Sequence, residues 1–302
     1  MRVSALSAGV QAIEGSSWQL TANLYQPEDK QSGTVLFCLP GGSATRDYFD
    51  LGTVDEFDFS FVSRMTQLGH TLIVMDHPGI ATNPLPTNHP FLTPRQSASY
   101  LASACQLLLD DGRLRDKKAV GLGHSMGGMI LVLMQARSNL FSQVALLGSS
   151  ARGLDWGLDD HEKTYIGMPD AVEIDLEELV LRKFKAPFPM VASGPSGKSI
   201  TFGGHNAELT QRLRDVSTNL FAAGGMMSMI RGSFAPEAAA IDVPMFFAFG
   251  DHDIGAPPDE VPIDFTGSPR VETHVLEDTG HNNFAFPSIA DLCIKLDQWV
   301  GS

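Results

Sequence analysis

Residues 120–128 read Val-Gly-Leu-Gly-His-Ser-Met-Gly-Gly, and this stretch decides how the rest of the chain is interpreted. The apolar run at 118–122 predicts a short buried strand, and the periodic apolar run at 129–136 predicts a helix. The turn between them has the pattern Gly-x-Ser-x-Gly, which lifts Ser125 out of a strand and onto a helix N-terminus under backbone strain. Glycines two residues to either side are needed because side chains there would collide with neighbouring backbone.

Short apolar strands alternate with helical patterns on both sides of this stretch. The expected strands are a hairpin of 3–14 and 18–26 joined by Gly15-Ser16-Ser17 at a sheet edge, then 34–39, 71–75, 143–147, 245–249 and 271–276. The expected helices are 54–68, one opened by Thr93-Pro94 and ending near Asp110, and the amphipathic segment 287–300. This alternation predicts an α/β fold, a mostly parallel sheet with helices on both faces.

The strand pattern is interrupted once. From about residue 152, helical stretches at 172–185 and 206–230 are separated by a Pro/Gly/Ser-rich passage at 187–204. Because the strand pattern resumes afterwards, we expect residues 1–151 and 236–302 to form one core, with 152–235 inserted in it. A structurally independent second domain is the alternative.

In its strand–turn–helix context the serine motif resembles the nucleophile elbow of the α/β-hydrolase superfamily, in the esterase- and lactonase-like branch with a serine nucleophile. The resemblance implies that residues 152–235 form a helical cap. It also implies a chain order of serine, acid and histidine. Residues 250–257 resemble the family's acid loop, in which aspartate lies three residues beyond glycine, and this marks Asp253 rather than Asp251. Residues 277–284 resemble its histidine loop and mark His281.

The residues themselves support the same three groups. A serine hydroxyl is a poor nucleophile without a base to take its proton and a carboxylate to orient that base. Each candidate follows the carboxyl end of an expected strand, where ligands of parallel sheets bind. Asp253 could instead be a turn residue. Of the competing histidines, we expect His124 to point elsewhere, and His77 and His252 to stabilise turns.

Two backbone N–H groups are expected to bind the oxyanion of acyl transfer. One belongs to Met126, directly after the serine at the helix N-terminus. The resemblance implies a second donor in the loop after strand 34–39, where the family often carries His-Gly. Here the loop reads Pro-Gly-Gly, so Gly42 is the predicted donor and Ser43 its alternative, and proline replaces a side chain that usually anchors the loop. The candidates for substrate binding are Ser43, Phe221, Met226 and Met227, although packing of such a helix against the core is the alternative.

Composition limits the remaining classes. A chain of 302 residues with 43% hydrophobic and 19% charged residues is typical of a globular protein, and its net charge of −14 argues against a nucleic-acid partner. No apolar run is long enough for a membrane span, and the N-terminus lacks a signal-peptide core, so we expect a cytoplasmic enzyme. No histidine pair has metal-ligand spacing, and three cysteines in apolar contexts predict buried thiols. Neither a metal nor another cofactor is expected.

The sequence therefore predicts a serine hydrolase that cleaves an ester or lactone of a small molecule through an acyl-enzyme. Thioesterase and carbon–carbon bond hydrolase share the same triad and remain alternatives, as does a catalytically silent ligand-binding protein of this fold. A dehalogenase or epoxide hydrolase would need aspartate at position 125. An aminopeptidase that binds an amine through Glu177 or Glu178 has no specific support.

Overall fold

The computed structural model of the chain describes residues 1–11, 15, 17–191 and 199–302. Its strands are β1 (Arg2–Gln11), β2 (Ser17–Gln26), β3 (Thr34–Leu39), β4 (Asp50–Val54), β5 (Phe57–Ser60), β6 (Thr71–Met75), β7 (Lys118–His124), β8 (Gln143–Leu147), β9 (Met245–Gly250) and β10 (Val271–Leu276). Its α-helices are α1 (Phe61–Gln67), α2 (Pro94–Leu109), α3 (Met126–Ser138), α4 (Pro169–Phe184), α5 (Ala207–Asp215), α6 (Ala222–Met229), α7 (Ala235–Ala239) and α8 (Ile289–Val300).

One large sheet organises these elements, with the strand order β1-β2-β6-β3-β7-β8-β9-β10. Neighbours from β6 to β10 run parallel, whereas β1 and β2 form an antiparallel hairpin at one edge. The predicted α/β architecture is confirmed. Because parallel strands all end at the same edge, the loops after β3, β7, β8, β9 and β10 come together there.

Helices cover both faces of the sheet, as the continuous apolar strands predicted. Successive side chains of a strand point to opposite faces, so β3 contributes Phe37 and Leu39 to one apolar cluster and Leu36 and Cys38 to the other. The first cluster includes residues of α2, α3, α4 and α6, and the second includes residues of α1, α5 and α8. All six residues of β3 are buried. Burial on both faces explains why this strand shows no alternation of polar and apolar residues.

The prediction of a helix over 54–68 is wrong in its first half. Residues Phe57–Ser60 form β5 and pair with β4, and helix α1 begins only at Phe61. The turn between β4 and β5 has positive φ at both Asp55 and Glu56, the backbone that two-residue hairpins require. Neither residue is glycine or asparagine, so the usual sequence sign of such a turn is missing. The Ser60 side chain caps α1 by accepting the N–H of Ser63.

The predicted helix over 206–230 is also wrong as one element, because it is divided into α5 and α6. The segment between them donates backbone hydrogen bonds to the loop after β3, from Thr218 N to Ser43 O at 2.8 Å and from Phe221 N to Gly42 O at 3.1 Å. Ala44 and Ser217 also form an isolated β-bridge. These pairings use the N–H groups that a continuous helix would need, so tertiary contact overrides the local helical pattern.

Residues 148–244 leave the sheet between β8 and β9, two strands that pair directly with each other. This is where the insertion was expected, and its status as a cap stays a prediction. Parts of two predicted segments, 12–14 with 16 in the first hairpin and 192–198 in the Pro/Gly/Ser-rich passage, lie outside the described residues. No helix among the described residues is both long and apolar enough to span a membrane. The three cysteines are free and buried.

Candidate active site

Ser125 occupies a strained turn between the end of β7 and the start of α3. Its φ is 52° and its ψ is −125°, a backbone that a residue with a side chain adopts only when its surroundings impose it. Two hydrogen bonds hold it there: Ser125 N donates to Leu147 O at 2.8 Å, and Gly128 N donates to Ser125 O at 2.9 Å. The neighbouring strand β8 thus positions the serine through its own backbone.

The flanking glycines allow this turn to pack, as the sequence predicted. A Cβ atom on Gly123 would lie 2.5 Å from the Gly127 carbonyl oxygen, and one on Gly127 would lie 2.5 Å from the Leu39 carbonyl oxygen. Real Cβ atoms essentially never approach backbone this closely. Any larger residue at either position would therefore push the turn away from β3 or from its own helix.

The structure brings the three predicted side chains into one hydrogen-bonded row. His281 Nε2 lies 2.9 Å from Ser125 Oγ, and His281 Nδ1 lies 2.7 Å from Asp253 Oδ1. Since an ionised carboxylate can only accept, Nδ1 carries the imidazole proton and Nε2 accepts the serine hydroxyl. The side chains of His281 and Asp253 are only 12% and 6% exposed. This is the arrangement that a serine nucleophile, its base and an orienting acid require.

The electrostatics of Asp253 suit an orienting group. Burial of the carboxyl acts to raise its pKa, but the facing His281 imidazole and the hydrogen bond with it outweigh burial, and the pKa of Asp253 lies below its ordinary value. Ile254 N adds a further hydrogen bond to Oδ1 at 2.7 Å. Asp251 faces elsewhere, because its two carboxylate oxygens accept the N–H groups of Asp278 and Thr279. Its contacts brace the turn after β10.

The other histidines do not reach the serine hydroxyl. His124 Nε2 donates to the backbone carbonyl of His281 at 2.9 Å, and His77 Nε2 donates to the carbonyl of Pro40 at 2.8 Å. Burial, assisted by the neighbouring His281, lowers the pKa of His124 to about 3, and burial also lowers the pKa of His77. Both rings are therefore neutral at physiological pH. His77 anchors the loop after β3 from outside, which compensates for the proline in that loop.

The two predicted oxyanion donors lie next to each other at the N-terminus of α3. A Cβ atom on Gly42 would lie 3.6 Å from the Cβ atom of Met126, and one on Gly41 would lie 3.4 Å from that of Ser125. Among the described residues, the N–H groups of Gly42 and Met126 have no acceptor within hydrogen-bonding distance. Ser43 is held through its carbonyl by Thr218. The assignment of Gly42 over Ser43 stays a prediction.

A small inner cavity, of about 30 Å³, opens beside Ser125 and His281. It is lined by Met126 and by small or apolar residues that belong to none of the motifs, among them Ser149, Ser228, Leu154, Phe249 and Ile254. Ser149 could have been found, because it follows β8, the strand beside the serine. Leu154 and Ser228 carry no local signal, because their position depends on how the insertion folds back.

The predicted substrate-binding residues do not line this inner cavity. Phe221, Met226 and Met227 are buried in the apolar cluster between α6 and the helices beneath it, and Phe221 stacks on Phe188 with ring centroids 5.7 Å apart. Ser43 is also absent from the lining. The side chains of Phe221, Met226 and Met227 therefore pack against the core, which is the alternative given for this stretch.

Among the described residues, one group of side chains has the spacing to hold a metal ion. It consists of Asp251, His252 and Asp278, all of which are exposed. Both carboxylate oxygens of Asp251 already accept backbone N–H groups, and none of the three side chains lines the inner cavity. The row of Ser125, His281 and Asp253 does not depend on it.

Residues 35–290 match the model of the family described as "Alpha/beta hydrolase family". The chain belongs to the alpha/beta hydrolase family. The match contains β3 from Val35 onward, the serine turn, the insertion and both loops that carry Asp253 and His281. None of the curated proteins matches the chain.

Solved structures show the same hydrolase fold. A lipase in an open form is 18% identical, with 98% of each chain covered and a TM-score of 0.65. A peroxisomal alpha-beta-hydrolase from Saccharomyces cerevisiae is 13% identical over 99% of this chain and 89% of that one, with a TM-score of 0.63. A thermophilic esterase from Thermogutta terrifontis, with malate bound, is 17% identical over 98% of both chains, with a TM-score of 0.57. Family and fold together support hydrolase activity.

Proposed function

We propose that this protein is a serine hydrolase that cleaves the carboxylic ester or lactone bond of a small molecule. The observation that carries the proposal is the unbroken hydrogen-bonded row from Asp253 through His281 to Ser125. The ionised Asp253 holds the imidazole in the tautomer whose Nε2 is free to accept a proton. The N–H group of Met126 at the start of α3 and that of Gly42 in the loop after β3 have no other acceptor within the described part of the chain, and they supply the oxyanion site.

The proposed reaction has two halves. His281 Nε2 takes the hydroxyl proton as Ser125 Oγ forms a bond to the carbonyl carbon, and the N–H groups of Gly42 and Met126 bind the resulting oxyanion. Collapse of this intermediate breaks the bond to the alcohol oxygen, which receives the proton from His281. Water then loses a proton to His281 and attacks the acyl carbon, the bond from that carbon to Ser125 Oγ breaks, His281 returns the proton to Oγ, and the carboxylic acid leaves.

We further propose that residues 152–235 act as a cap that selects the substrate. Leu154 and Ser228, which both belong to this insertion, line the inner cavity beside residues of the core. The segment between α5 and α6 also holds the loop that carries Gly42. A thioester or carbon–carbon bond substrate remains the alternative on the same residues. The aminopeptidase alternative loses support, because Glu177 and Glu178 line a depression on α4 and not the inner cavity.

The test is a rapid-mixing experiment with 4-nitrophenyl acetate. We expect a burst of 4-nitrophenol equal to the enzyme concentration, or steady turnover with an acetyl adduct on Ser125 visible by mass spectrometry after acid quench. The Ser125→Ala variant should lose at least about 10⁴-fold in kcat, because the residues of such a triad act as one unit. Equal turnover by this variant would refute the mechanism. Absence of both burst and turnover in the native enzyme would favour a silent ligand-binding protein.

A further inference from the structure

The inner cavity is small for a substrate site. The space beside Ser125 measures only about 30 Å³. Pockets for drug-sized ligands are typically about 300–1,000 Å³. As far as the described residues define it, this space suits a methyl or ethyl group better than a longer alkyl chain.

Its walls are held by contacts that resist enlargement. Leu154 N donates to Met229 O at 2.8 Å, which ties the start of the insertion to the end of α6. Ser149 packs so closely on α3 that a Cβ atom on Gly128 would lie 2.5 Å from its hydroxyl oxygen. Phe249, on β9, is buried. Close-packed walls of this kind respond to an added methylene by shifting backbone, which is costly.

An outer depression of about 220 Å³ adjoins the inner cavity. Both are lined by Gly153, Leu154, Ile254 and Gly255, so these residues lie between the two spaces, and we call Leu154 and Ile254, the two with side chains, the partition. Beyond the partition the lining is polar, with Arg152, Asp155, Arg231 and Glu260. The arginines are engaged by acidic partners, Arg152 with Asp264 at 2.8 Å and Arg231 with Asp155 at 3.6 Å. Since carboxylates already neutralise both arginines, the outer depression does not favour an anionic group and suits an uncharged polar group.

The direction of proton transfer indicates where the two parts of the ester lie, which we call the acyl arm and the alcohol arm. His281 must return its proton to the leaving oxygen, so the alcohol arm lies on the side of His281 and Asp253. Ile254 directly follows Asp253 and donates its N–H to the Asp253 carboxylate. Trp156, 66% exposed, donates its indole N–H to the carbonyl of Ile254 at 3.2 Å and forms an edge of the outer depression. The alcohol arm therefore passes the partition, and the acyl arm stays in the inner cavity.

We propose that the substrate is an ester of a short acid, with two or three carbons in the acyl group, and a larger, uncharged polar alcohol that occupies the outer depression. This inference rests on the proposed function. Leu154 and Ile254 are its specificity-determining residues, because they limit the acyl group on one side and contact the alcohol on the other.

The first experiment varies the acyl group at a constant leaving group, with 4-nitrophenyl acetate and 4-nitrophenyl octanoate. Since one misplaced methylene in a pocket costs about 10–200-fold, we expect kcat/KM for octanoate to be at least about 100-fold below that for acetate. Turnover of octanoate equal to or faster than that of acetate overturns the short-acid inference and leaves the serine mechanism standing. Turnover of neither ester above the Ser125→Ala background overturns the proposed function instead.

The second experiment opens the partition. Leu154→Ala joins the two spaces and should raise the ratio of octanoate to acetate kcat/KM by about 10-fold, the value of roughly one or two methylenes. Leu181→Ala, the same substitution at an exposed position of α4, is the matched control and should leave the ratio unchanged. If Leu154→Ala does not fold, Ile254→Ala replaces it, because Ile254 is the other residue of the partition. An unchanged ratio in a folded partition variant contradicts the inference.

The third experiment tests the alcohol arm with two acetates, 1-naphthyl acetate and methyl acetate. Trp156→Ala should lower kcat/KM about 10-fold for the naphthyl ester, whose ring reaches the outer depression, and leave the methyl ester unaffected. Comparing variant with native enzyme for each ester cancels the difference in leaving-group reactivity. Equal losses for both esters, or none for either, contradict the placement of the alcohol.

Discussion

Gly148 lies directly beneath the hydrogen-bonded pair of His281 and Asp253. A Cβ atom at this position would lie 3.0 Å from Asp253 Oδ2 and 3.1 Å from His281 Nδ1. Its φ of 55° is also in the left-handed region, where a side chain is strained. Glycine at the end of β8 therefore allows the aspartate and histidine loops to meet.

Replacing Gly148 by alanine should lower both the stability of the fold and the rate of catalysis. We expect Gly148→Ala to lower the free energy of unfolding by about 1–2 kcal/mol through backbone strain. It should also lower kcat about 100-fold, because the imidazole is displaced by a fraction of an ångström to an ångström. Gly33→Ala is the matched control, since Gly33 has a φ of 79° and no atom within 4 Å of its added Cβ. A loss of kcat in both variants, or in neither, would contradict this account.

The choice between Asp253 and Asp251 is testable with one isosteric change at each position. Asp253→Asn keeps the shape but no longer holds the correct imidazole tautomer, and we expect kcat to fall about 10⁴-fold. Asp251→Asn gives up one backbone hydrogen bond and should cost about 1 kcal/mol of stability, with kcat unchanged. Steady-state kinetics and urea unfolding measure the two effects. The reverse pattern would assign the acid to Asp251.

At the scale of elements, the insertion reaches the oxyanion loop through the segment between α5 and α6. The Leu220 side chain lies against this loop, and a Cβ atom on Gly42 would come within 2.9 Å of Leu220 Cδ1. Backbone hydrogen bonds from Thr218 and Phe221 hold the two segments together. The position of the proposed oxyanion donor thus depends on a part of the chain far away in sequence.

A double-mutant cycle measures this dependence. Gly42→Ala should push the loop away from α3 and lower kcat about 100-fold, comparable with the loss of an oxyanion donor. Leu220→Ala should make room for the added methyl group, so the double variant should recover about 10-fold of that loss. KM should change little in the series, because the oxyanion forms only in the transition state. Strict additivity would show that Leu220 does not hold Gly42 in place.

At the scale of the whole molecule, three buried histidines make the fold sensitive to acid. Burial lowers the pKa of His70, His77 and His124, and the pKa of His124 is about 3. For His70, burial outweighs the opposing effect of the hydrogen bond that its ring donates to Asp297. The unfolded chain takes up these protons near pH 6.5, the ordinary value for histidine. Stability is therefore full above that pH and is lost as the pH falls from about 6.5 towards the folded-state values.

Urea unfolding at pH 7.5 and pH 5.5 tests this sensitivity. His124 alone should lower the free energy of unfolding by about 1.4 kcal/mol between the two conditions, and His70 and His77 act in the same direction. His77→Phe removes one titrating ring and should flatten the pH dependence, although it gives up the hydrogen bond to Pro40. Equal stability at both pH values would mean that these rings gain protons in the folded state.

Much of the site was predictable because its signals are local. Glycines two residues to either side of a serine predict a strained turn between a strand and a helix, and Gly123 and Gly127 are such a pair. Asp253 and His281 each follow the end of a predicted strand. Parallel strands carry their ends to one edge, so residues distant in the chain were expected to meet there. Ser228 follows no strand end and has no such pattern, so only the structure places it in the lining of the inner cavity.

Both errors arise where backbone pairing overrides a helical pattern, at long range in one case and across a two-residue hairpin in the other. The helical pattern of 206–230 gave way where Thr218 and Phe221 pair with the loop after β3. Residues Phe57–Ser60 became a strand because β4 was available to pair with them. Intrinsic helix preference is worth at most about 0.7 kcal/mol per ordinary residue, and such pairing readily exceeds it.

By itself, the sequence determined the α/β architecture and the convergence of Ser125, Asp253 and His281, because hydrophobic period and glycine spacing act over a few residues. Only the tertiary structure decided the size of the inner cavity and the partition formed by Leu154 and Ile254. These depend on how the insertion returns over the sheet, and that path is set by packing and by hydrogen bonds between segments that no local pattern encodes.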